Sequence, residues 1–297
     1  MQTGIVDIGS NTMRLVLYDI GKGRYKKLIS KKKMTGLAGY VTDGQLSSQG
    51  VKKLIKTLNS FKKTAQAFQI KKMYYFATAS LRNIDNSKEV LKKVKKETGI
   101  CIELISGEEE GYLDYYAVSQ EMHLEKGILI DVGGGSSELV GFRNGKVLGN
   151  KSLPIGSLSL YRQYVHGILP TLEERKEMQK VIDEQLQNYG EIQQRKTMIG
   201  IGGSVRAAHM LIQDLIGTNK RENKFFREDL IELLHMMEES EKEFIRQMLK
   251  RKPDRLHTIV PGILIVGKLM DFCGSEEIFV SDVGIREGFL KKRVMEE

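Results

Sequence analysis

No apolar run in this sequence approaches the roughly 18 residues that a membrane span requires. Met1-Gln2-Thr3 leads straight into a strand pattern, without a basic n-region, an apolar core or a small-residue cleavage site. Both absences lead us to expect a cytoplasmic protein with no membrane partner. Cysteine is scarce: Cys101 and Cys273 are too few and too far apart for a disulfide framework or a zinc site. They read as two reduced, buried thiols in a cytosolic protein. The histidines (His123, His166, His209, His235 and His257) form neither an H-x-x-x-H nor an H-D pair, so none is assigned to a metal. No G-x-x-x-x-G-K-[ST] occurs, which excludes a Walker loop, and a strand–turn–strand order around the first glycine turns excludes the dinucleotide fingerprint. There is also no low-complexity linker, so a domain boundary must be read from element pattern alone.

What is present is ordinary globular material with an uneven charge. The 297 residues suffice for one or two domains, with 40% hydrophobic and 29% charged residues. Of the net charge of +9, residues 1–125 supply nearly all: 21 Lys and Arg against 13 Asp and Glu, compared with 26 against 25 in the remainder. The excess gathers in Lys31-Lys32-Lys33, Lys52-Lys53, Lys62-Lys63, Lys92-Lys93 and Lys95-Lys96. Such a field favours a polyanionic partner, whereas any single lysine pair also reads as a solvated helix face.

The order of elements suggests two successive α/β halves. Gly4–Ile8, Met13–Ile20 and Tyr25–Ser30 read as strands. Apolar spacings of three and four from Val51 to Phe61 predict a helix over Ser47–Phe68. A strand at Met73–Ala77 follows, then a helix at Ser87–Thr98 with Ser87 as candidate N-cap and Gly99 as its stop. A strand at Ile100–Ile105 leads to a helix at Gly107–Met122, whose Glu108, Glu109 and Glu110 suit the positive end of its dipole. The second half repeats the theme: strands at Ile128–Val132 and Glu138–Phe142, an Arg143–Lys146 turn, and helices at Ser157–Val165 and Leu172–Tyr189. A strand at Met198–Ile201 runs into a helix at Val205–Ile216. Phe226–Glu239, Glu241–Arg251 and Asp254–Phe272 read as helices, Glu277–Val280 as a strand and Gly284–Met295 as the closing helix. We place the boundary at residue 125, giving domains 1–125 and 126–283.

One device occurs twice. "DIGSNTMRL" and "DVGGGSSEL" each run from a strand ending in aspartate, through a glycine turn with a hydroxyl residue, into a returning strand. Such turns set backbone N–H groups around a concave spot suited to phosphate. Gly133, Gly134 and Gly135 let a ligand approach the backbone, with Ser136 and Ser137 as hydroxyl donors; Gly9, Ser10 and Asn11 repeat the arrangement. Asp7 and Asp131 stand where each strand meets its turn, able to hold a hydrated cation. A third glycine turn, Gly202, Gly203 and Ser204 in "GIGGS", opens a helix. Each piece alone is also a common structural turn; the repetition is what points to phosphate.

"DIGSNTMRL", "FATASLRNIDN", "ISGEEEGYL", "IDVGGGSSEL", "IGIGGSVRAA" and "VSDVGIREG" together resemble the exopolyphosphatase/guanosine pentaphosphate phosphohydrolase (Ppx/GppA) family. The resemblance covers essentially the whole chain and implies two ribonuclease-H-like domains of the actin, sugar-kinase and Hsp70 superfamily, with an active-site cleft between them. It further implies that the segment from about 284 to 297 packs back on the first domain. A chain stopping at Glu297 is similar to the short members, without the added C-terminal module. Residue by residue, it puts Glu110 at the catalytic carboxylate and Glu138 at a second acid. Asp131 falls on the aspartate associated with the metal and the attacking water, with Asp7 and Glu138 as further metal candidates. Arg82, an ordinary loop arginine by sequence alone, is implied to contact phosphate, as are the glycine turns. Glu110 would orient or deprotonate water, and Mg²⁺ or Mn²⁺ would offset phosphate charge.

Glu108 and Glu109 read as dipole partners rather than catalysts. Arg206 reads equally as a phosphate or nucleobase contact and as a surface residue, and Asp282, Arg286 and Glu287 as interdomain structure. Where many family members carry arginine after the glutamates, this chain has Gly111 and Tyr112. The leading expectation is a Mg²⁺-dependent exopolyphosphatase acting on linear inorganic polyphosphate. A guanosine pentaphosphate 5′-phosphohydrolase and a non-catalytic polyphosphate or alarmone regulator are the alternatives, and a kinase of the same superfamily is disfavoured for want of a sugar or acetate pocket. No motif supports specific nucleic-acid binding. A homodimer is compatible with this size, and no stretch identifies an interface.

Overall fold

The computed structural model describes residues 1–188, 197–217 and 222–296. The chain divides into two compact units, Met1–Glu110 with Phe289–Glu297, and Gly111–Gly288.

In the first unit, strands β1 (Gln2–Ile8), β2 (Thr12–Gly21) and β3 (Arg24–Met34) form an antiparallel meander. After the short pair β4 (Val41–Thr42) and β5 (Gln45–Leu46) come helix α1 (Ser48–Ala67), β6 (Lys72–Ala77), α2 (Ala79–Arg82), α3 (Ser87–Thr98) and β7 (Glu103–Leu104). The sheet order is β3-β2-β1-β6-β7, with β1–β6 and β6–β7 parallel. Met13, Leu15 and Leu17 on one face of β2 pack against Leu54, Leu58 and Phe61 of α1. That burial, at about 25 cal/mol per Å² of apolar surface, is what holds the helix to the sheet. Residues 289–297 complete this unit: Phe289 is 1% exposed and stacks on Phe76 at 4.9 Å, with Tyr74 edge-on at 5.9 Å.

Helix α4 (Gly107–Ser119) carries the chain onward to β8 (Lys126–Val132), β9 (Ser137–Arg143) and β10 (Lys146–Leu153), a second meander. Then follow α5 (Ser157–Tyr164), α6 (Leu172–Gln187), β11 (Thr197–Ile201), α7 (Gly202–Leu211), β12 (Lys224–Phe226), α8 (Arg227–Glu239), α9 (Glu241–Arg251), α10 (Ile259–Cys273), β13 (Glu277–Val280) and α11 (Ile285–Phe289). The sheet order β10-β9-β8-β11-β13-β12 repeats the first sheet, with β12 added as an antiparallel edge. Ile128, Ile130 and Val132 of β8 meet Val205 and Ala208 of α7 and Ile263 and Val266 of α10 on one face. On the other, Tyr115 and Val118 of α4 meet Leu129 and Ile199. Helix α10 is mostly apolar and mostly buried, its two charges, Lys268 and Asp271, being ion-paired with Asp183 and Arg227.

Several expectations shift. The third strand runs to Met34, so Lys31, Lys32 and Lys33 lie within it; an edge strand tolerates such charge because one side of it faces water. The Ile100–Ile105 strand shrinks to Glu103–Leu104. Ser87 is the first helical residue of α3, not its cap; the cap is Asn86, whose amide group instead bonds both ways with the Leu46 backbone. The helix expected from Asp254 begins at Ile259, preceded by a 3-10 turn at Pro253–Arg255. The helix expected over Val205–Ile216 begins at Gly202 and passes into a π-turn at Ile212–Ile216. Tyr189, the expected end of the Leu172 helix, lies outside the described residues. The division between units falls at Glu110 rather than residue 125, because α4 is one continuous helix whose first turn belongs to the first unit.

Candidate functional site

The doubled device is the same object in both units. In the first, the amide of Gly9 donates to the Thr12 carbonyl at 3.0 Å; in the second, that of Gly133 donates to the Ser136 carbonyl at 3.0 Å. The turn carbonyls are then consumed by later backbone. Ser10 O accepts from Ala38 N, and Asn11 O accepts from Thr35 and Gly36 N at 3.1 and 2.8 Å. Gly133 O accepts from Ser157 N, and Gly134 O from Leu158 and Ser159 N at 2.9 and 3.0 Å. With their carbonyls tied down, the turns keep their remaining amides as the groups available to an anion. Gly156, at the start of α5, abuts Gly134 so closely that any side chain there would overlap the turn backbone.

Register separates the two copies chemically. Asp7 on β1 stands directly opposite Arg14 on β2, whereas Asp131 on β8 stands directly opposite Glu138 on β9. The first copy therefore pairs its aspartate position with a cation. The second places two carboxylates side by side, Glu138 fully buried and accepting a hydrogen bond from Ser152 Oγ at 2.7 Å. Asp7 was expected among the metal candidates; the Arg14 opposite lowers the local negative charge that would hold one. Asp131 and Glu138 remain, and among the described residues no three His, Cys, Asp or Glu side chains form a ready cluster. Ser136 is buried beside them, while the Ser137 hydroxyl is committed to the Ile155 carbonyl at 2.8 Å and is not a donor to ligand.

The third glycine turn serves the same acidic strand. Gly202 has φ +90°, a conformation that side chains resist, and a Cβ there would overlap Asp131 Oδ1. Gly203 is covered by the Arg255 guanidinium with no space for a Cβ. Ser204 is 1% exposed and packs against Gly262 of α10, its buried hydroxyl making no hydrogen bond among the described residues. Arg206, one turn on, donates to the Ser281 carbonyl at 2.8 Å. Burial pushes its pKa down while Asp131, Asp282 and Glu287 pull it up. It is thus a half-buried cation near Asp131, with its guanidinium engaged by the Ser281 carbonyl.

In the first unit, Glu110 sits on the first turn of α4 and is 7% exposed. Arg82, from α2, holds it: Nη1 donates to Glu110 Oε2 and to the Ile105 carbonyl, each at 2.9 Å. Arg82 is therefore first of all the partner of the carboxylate, fixing its orientation. Glu109 next to it is engaged by Arg293, which also approaches Glu103 at 3.8 Å. Gly111, on the same helix, has no room for a side chain: a Cβ would meet Asn150 Oδ1 at 2.5 Å and Val140 Cγ2 at 2.9 Å. Tyr112 is 39% exposed, its ring 6.3 Å from that of Tyr116. Glu287 accepts from the Gly284 amide at 3.2 Å, capping its own helix. Arg14, Arg255 and Arg293 escaped the sequence reading. Only Arg14 had a local signal, being the same distance beyond its turn as Glu138 is beyond the other.

Two α/β units of related strand order, each with a glycine turn behind an aspartate, define a two-unit protein that presents backbone amides at matching places in both sheets. The chain belongs to the Ppx/GppA phosphatase family, whose description matches residues 16–297. It is 33% identical over 169 residues to Exopolyphosphatase 1 of Mycobacterium tuberculosis, covering 56% of this chain and 49% of that protein. The match thus spans about half the length of this curated relative. A putative exopolyphosphatase of Haemophilus influenzae is 24% identical over 294 residues, 96% of this chain and 89% of that one. The crystal structure of the Aquifex aeolicus Ppx/GppA family member superposes with a TM-score of 0.79 at 27% identity, covering 100% of this chain and 98% of that one. An exopolyphosphatase structure from Cytophaga hutchinsonii shares the fold with a TM-score of 0.84 at 23% identity, over 100% of this chain and 98% of that one.

Proposed function

We propose that the protein is an exopolyphosphatase, releasing orthophosphate by hydrolysis of the terminal phosphoanhydride of linear polyphosphate. The observation that carries this reading is the doubled turn, closed by the same 3.0 Å bond in each unit and with its carbonyls already occupied. Amides fixed in place before the ligand arrives stabilise phosphate charge with little reorganisation. Glu110, oriented by Arg82, is the group assigned to position the attacking water and accept its proton. The relatives named as exopolyphosphatases support the same substrate class.

Asp131 and Glu138 are hard oxygen donors on facing strand positions, a set that fits Mg²⁺ or Mn²⁺ held by one or two carboxylates together with substrate oxygens. A bound ion there would neutralise charge on the phosphate being transferred. Ser152 holds Glu138 through a hydrogen bond, and the charge of Arg206 lies close enough to Asp131 to favour its carboxylate. The free thiols of Cys101 and Cys273 support a cytoplasmic setting as part of the proposal, and no helix among the described residues is long and apolar enough to cross a membrane.

The test is phosphate release with Mg²⁺ from long-chain polyphosphate and from guanosine pentaphosphate, for wild type and Glu110→Gln side by side. Release from polyphosphate that drops by at least 10²-fold in the variant is the expected result. Preference for the nucleotide would transfer the reading to the alternative substrate. Binding without release from either would replace it with a regulator.

A further inference from the structure

We propose that strand β3 and helix α1 form a binding surface for the distal part of a polyphosphate chain, a polyanion site separate from the phosphate turns. The name of the ligand rests on the exopolyphosphatase reading; the surface itself is read from its own chemistry. Over its 11 residues β3 carries six basic side chains and no acid, and over its 20 residues α1 carries five lysines and no acid. The two elements are neighbours. Lys31 Nζ donates to Thr64 Oγ1 and Lys33 Nζ to Ser60 Oγ, each at 2.9 Å. Ser60 and Thr64 lie one turn apart on α1, so these two ammonium groups stand about 6 Å from each other. Lys52, Lys53, Lys56 and Lys63 are exposed on the same helix, and the stretch from Lys52 to Lys63 is about 16 Å long.

An ordinary solvated face would alternate its charges or pair them. Here Lys31, Lys33, Lys52, Lys53, Lys56 and Lys63 have no carboxylate partner among the described residues. Two of them are steadied by hydroxyls, which fix position and leave the charge uncompensated. Neighbours such as Lys31 and Lys33, about 6 Å apart, fall within one Debye length, so the fields of adjacent groups add at physiological salt. The surface lacks what other polyanions need. Phe61, the aromatic within α1, is fully buried, and Tyr25 of β3 packs on Tyr18 at 5.6 Å; the exposed Phe68 lies beyond the last turn of α1, so neither element offers a series of rings on which bases could stack. The apolar residues of α1 face the core, and only Leu28 and Met34 of β3 are exposed among the charges, too few for the continuous apolar face that a bilayer-binding helix presents. A flexible chain of closely spaced phosphates without bases is the ligand that suits ammonium groups held at this pitch.

The experiment uses the full chain carrying Glu110→Gln, so that ligand is not consumed, with and without Lys31→Gln, Lys33→Gln, Lys56→Gln and Lys63→Gln together. Affinity for long-chain polyphosphate and for tripolyphosphate is measured across a salt series, with circular dichroism to verify folding. The expected result is long-chain affinity weakened on the order of tenfold or more, and a log affinity against log salt slope shallower by about one per lysine engaged. Tripolyphosphate binding stays within twofold, and arginine at the same four positions restores the long-chain affinity. Long-chain affinity within twofold of the parent in a folded variant overturns the proposal, as does tighter binding of single-stranded RNA or anionic vesicles than of polyphosphate. Wild-type turnover separates the two readings. If wild type releases no phosphate while the lysine variant still loses long-chain binding, the enzymatic reading fails and the surface stands. If wild type hydrolyses polyphosphate and the lysine variant binds it undiminished, the surface fails alone.

Discussion

Replacing Gly202 by alanine should damage turnover far more than stability, and the structure sets both magnitudes. With φ at +90°, an alanine incurs a backbone penalty of about 1–2 kcal/mol. For a unit of this size that lowers the melting temperature by a few degrees, roughly 2–4 °C per kcal/mol. The added Cβ also overlaps Asp131 Oδ1. Restoring van der Waals distance moves that carboxylate by about 1 Å, a misplacement that can lower turnover on the order of 10²-fold. Because Asp131 is half of the proposed metal pair, the variant should also need more Mg²⁺ for half-maximal rate. Gly145 provides the control: it has φ +75° and open space where a Cβ would go. Gly145→Ala should show the same few-degree loss with wild-type turnover. Phosphate release with titrated Mg²⁺, alongside thermal melts, reads all three proteins. A folded Gly202→Ala protein within threefold of wild-type turnover, or an equal loss of turnover in Gly145→Ala, refutes the reasoning.

Phe289→Ala should destabilise the first unit by about 3–5 kcal/mol, seen as lost hydrogen-exchange protection within Met1–Glu110; loss confined to Gly111–Gly288 would contradict the packing described. Arg82→Ala should lower turnover on the order of 10–100-fold by releasing the Glu110 carboxylate, and Arg82→Lys should recover part of it in the same phosphate-release assay. Burial pushes the Cys273 thiol up to about 12 while Cys101 is exposed. A thiol-specific reagent at pH 8 should therefore titrate one cysteine in the native protein and two in denaturant. Burial also lowers the pKa of His209 and of His257. The unfolded chain takes up those protons first, so stability should fall as pH drops below about 6.5, a trend that His257→Gln should weaken in urea melts.

What was legible in the sequence was local. The turns of "DIGSNTMRL" and "DVGGGSSEL" announce themselves because strand alternation, glycine and hydroxyl residues all lie within nine positions, and the two meanders follow from them. The difference between the copies was nearly legible: Arg14 and Glu138 occupy equal offsets from their turns, and pairing them with Asp7 and Asp131 needs only hairpin register. Other features are set by distance in the chain. Nothing near Gly203 signals Arg255, and nothing near Glu109 signals Arg293, because those approaches are created by packing of whole elements. The unit boundary is hidden for a different reason: α4 is continuous through residue 110, with no change of composition to mark it. Lys31–Lys33 look like a loop until the strand is known to lie on a sheet edge.

The return of residues 289–297 to the first unit bears on how the chain folds as it leaves the ribosome. Synthesis runs from the amino end, yet the unit that starts first is the one completed last. All residues of Gly111–Gly288 are available before Phe289 is added, so the second unit can close its core while the first still lacks the ring that stacks on Phe76. Until then the nascent first unit presents Phe76 and Tyr74 uncovered on the face of its sheet away from α1, and chaperone contacts during translation should concentrate there.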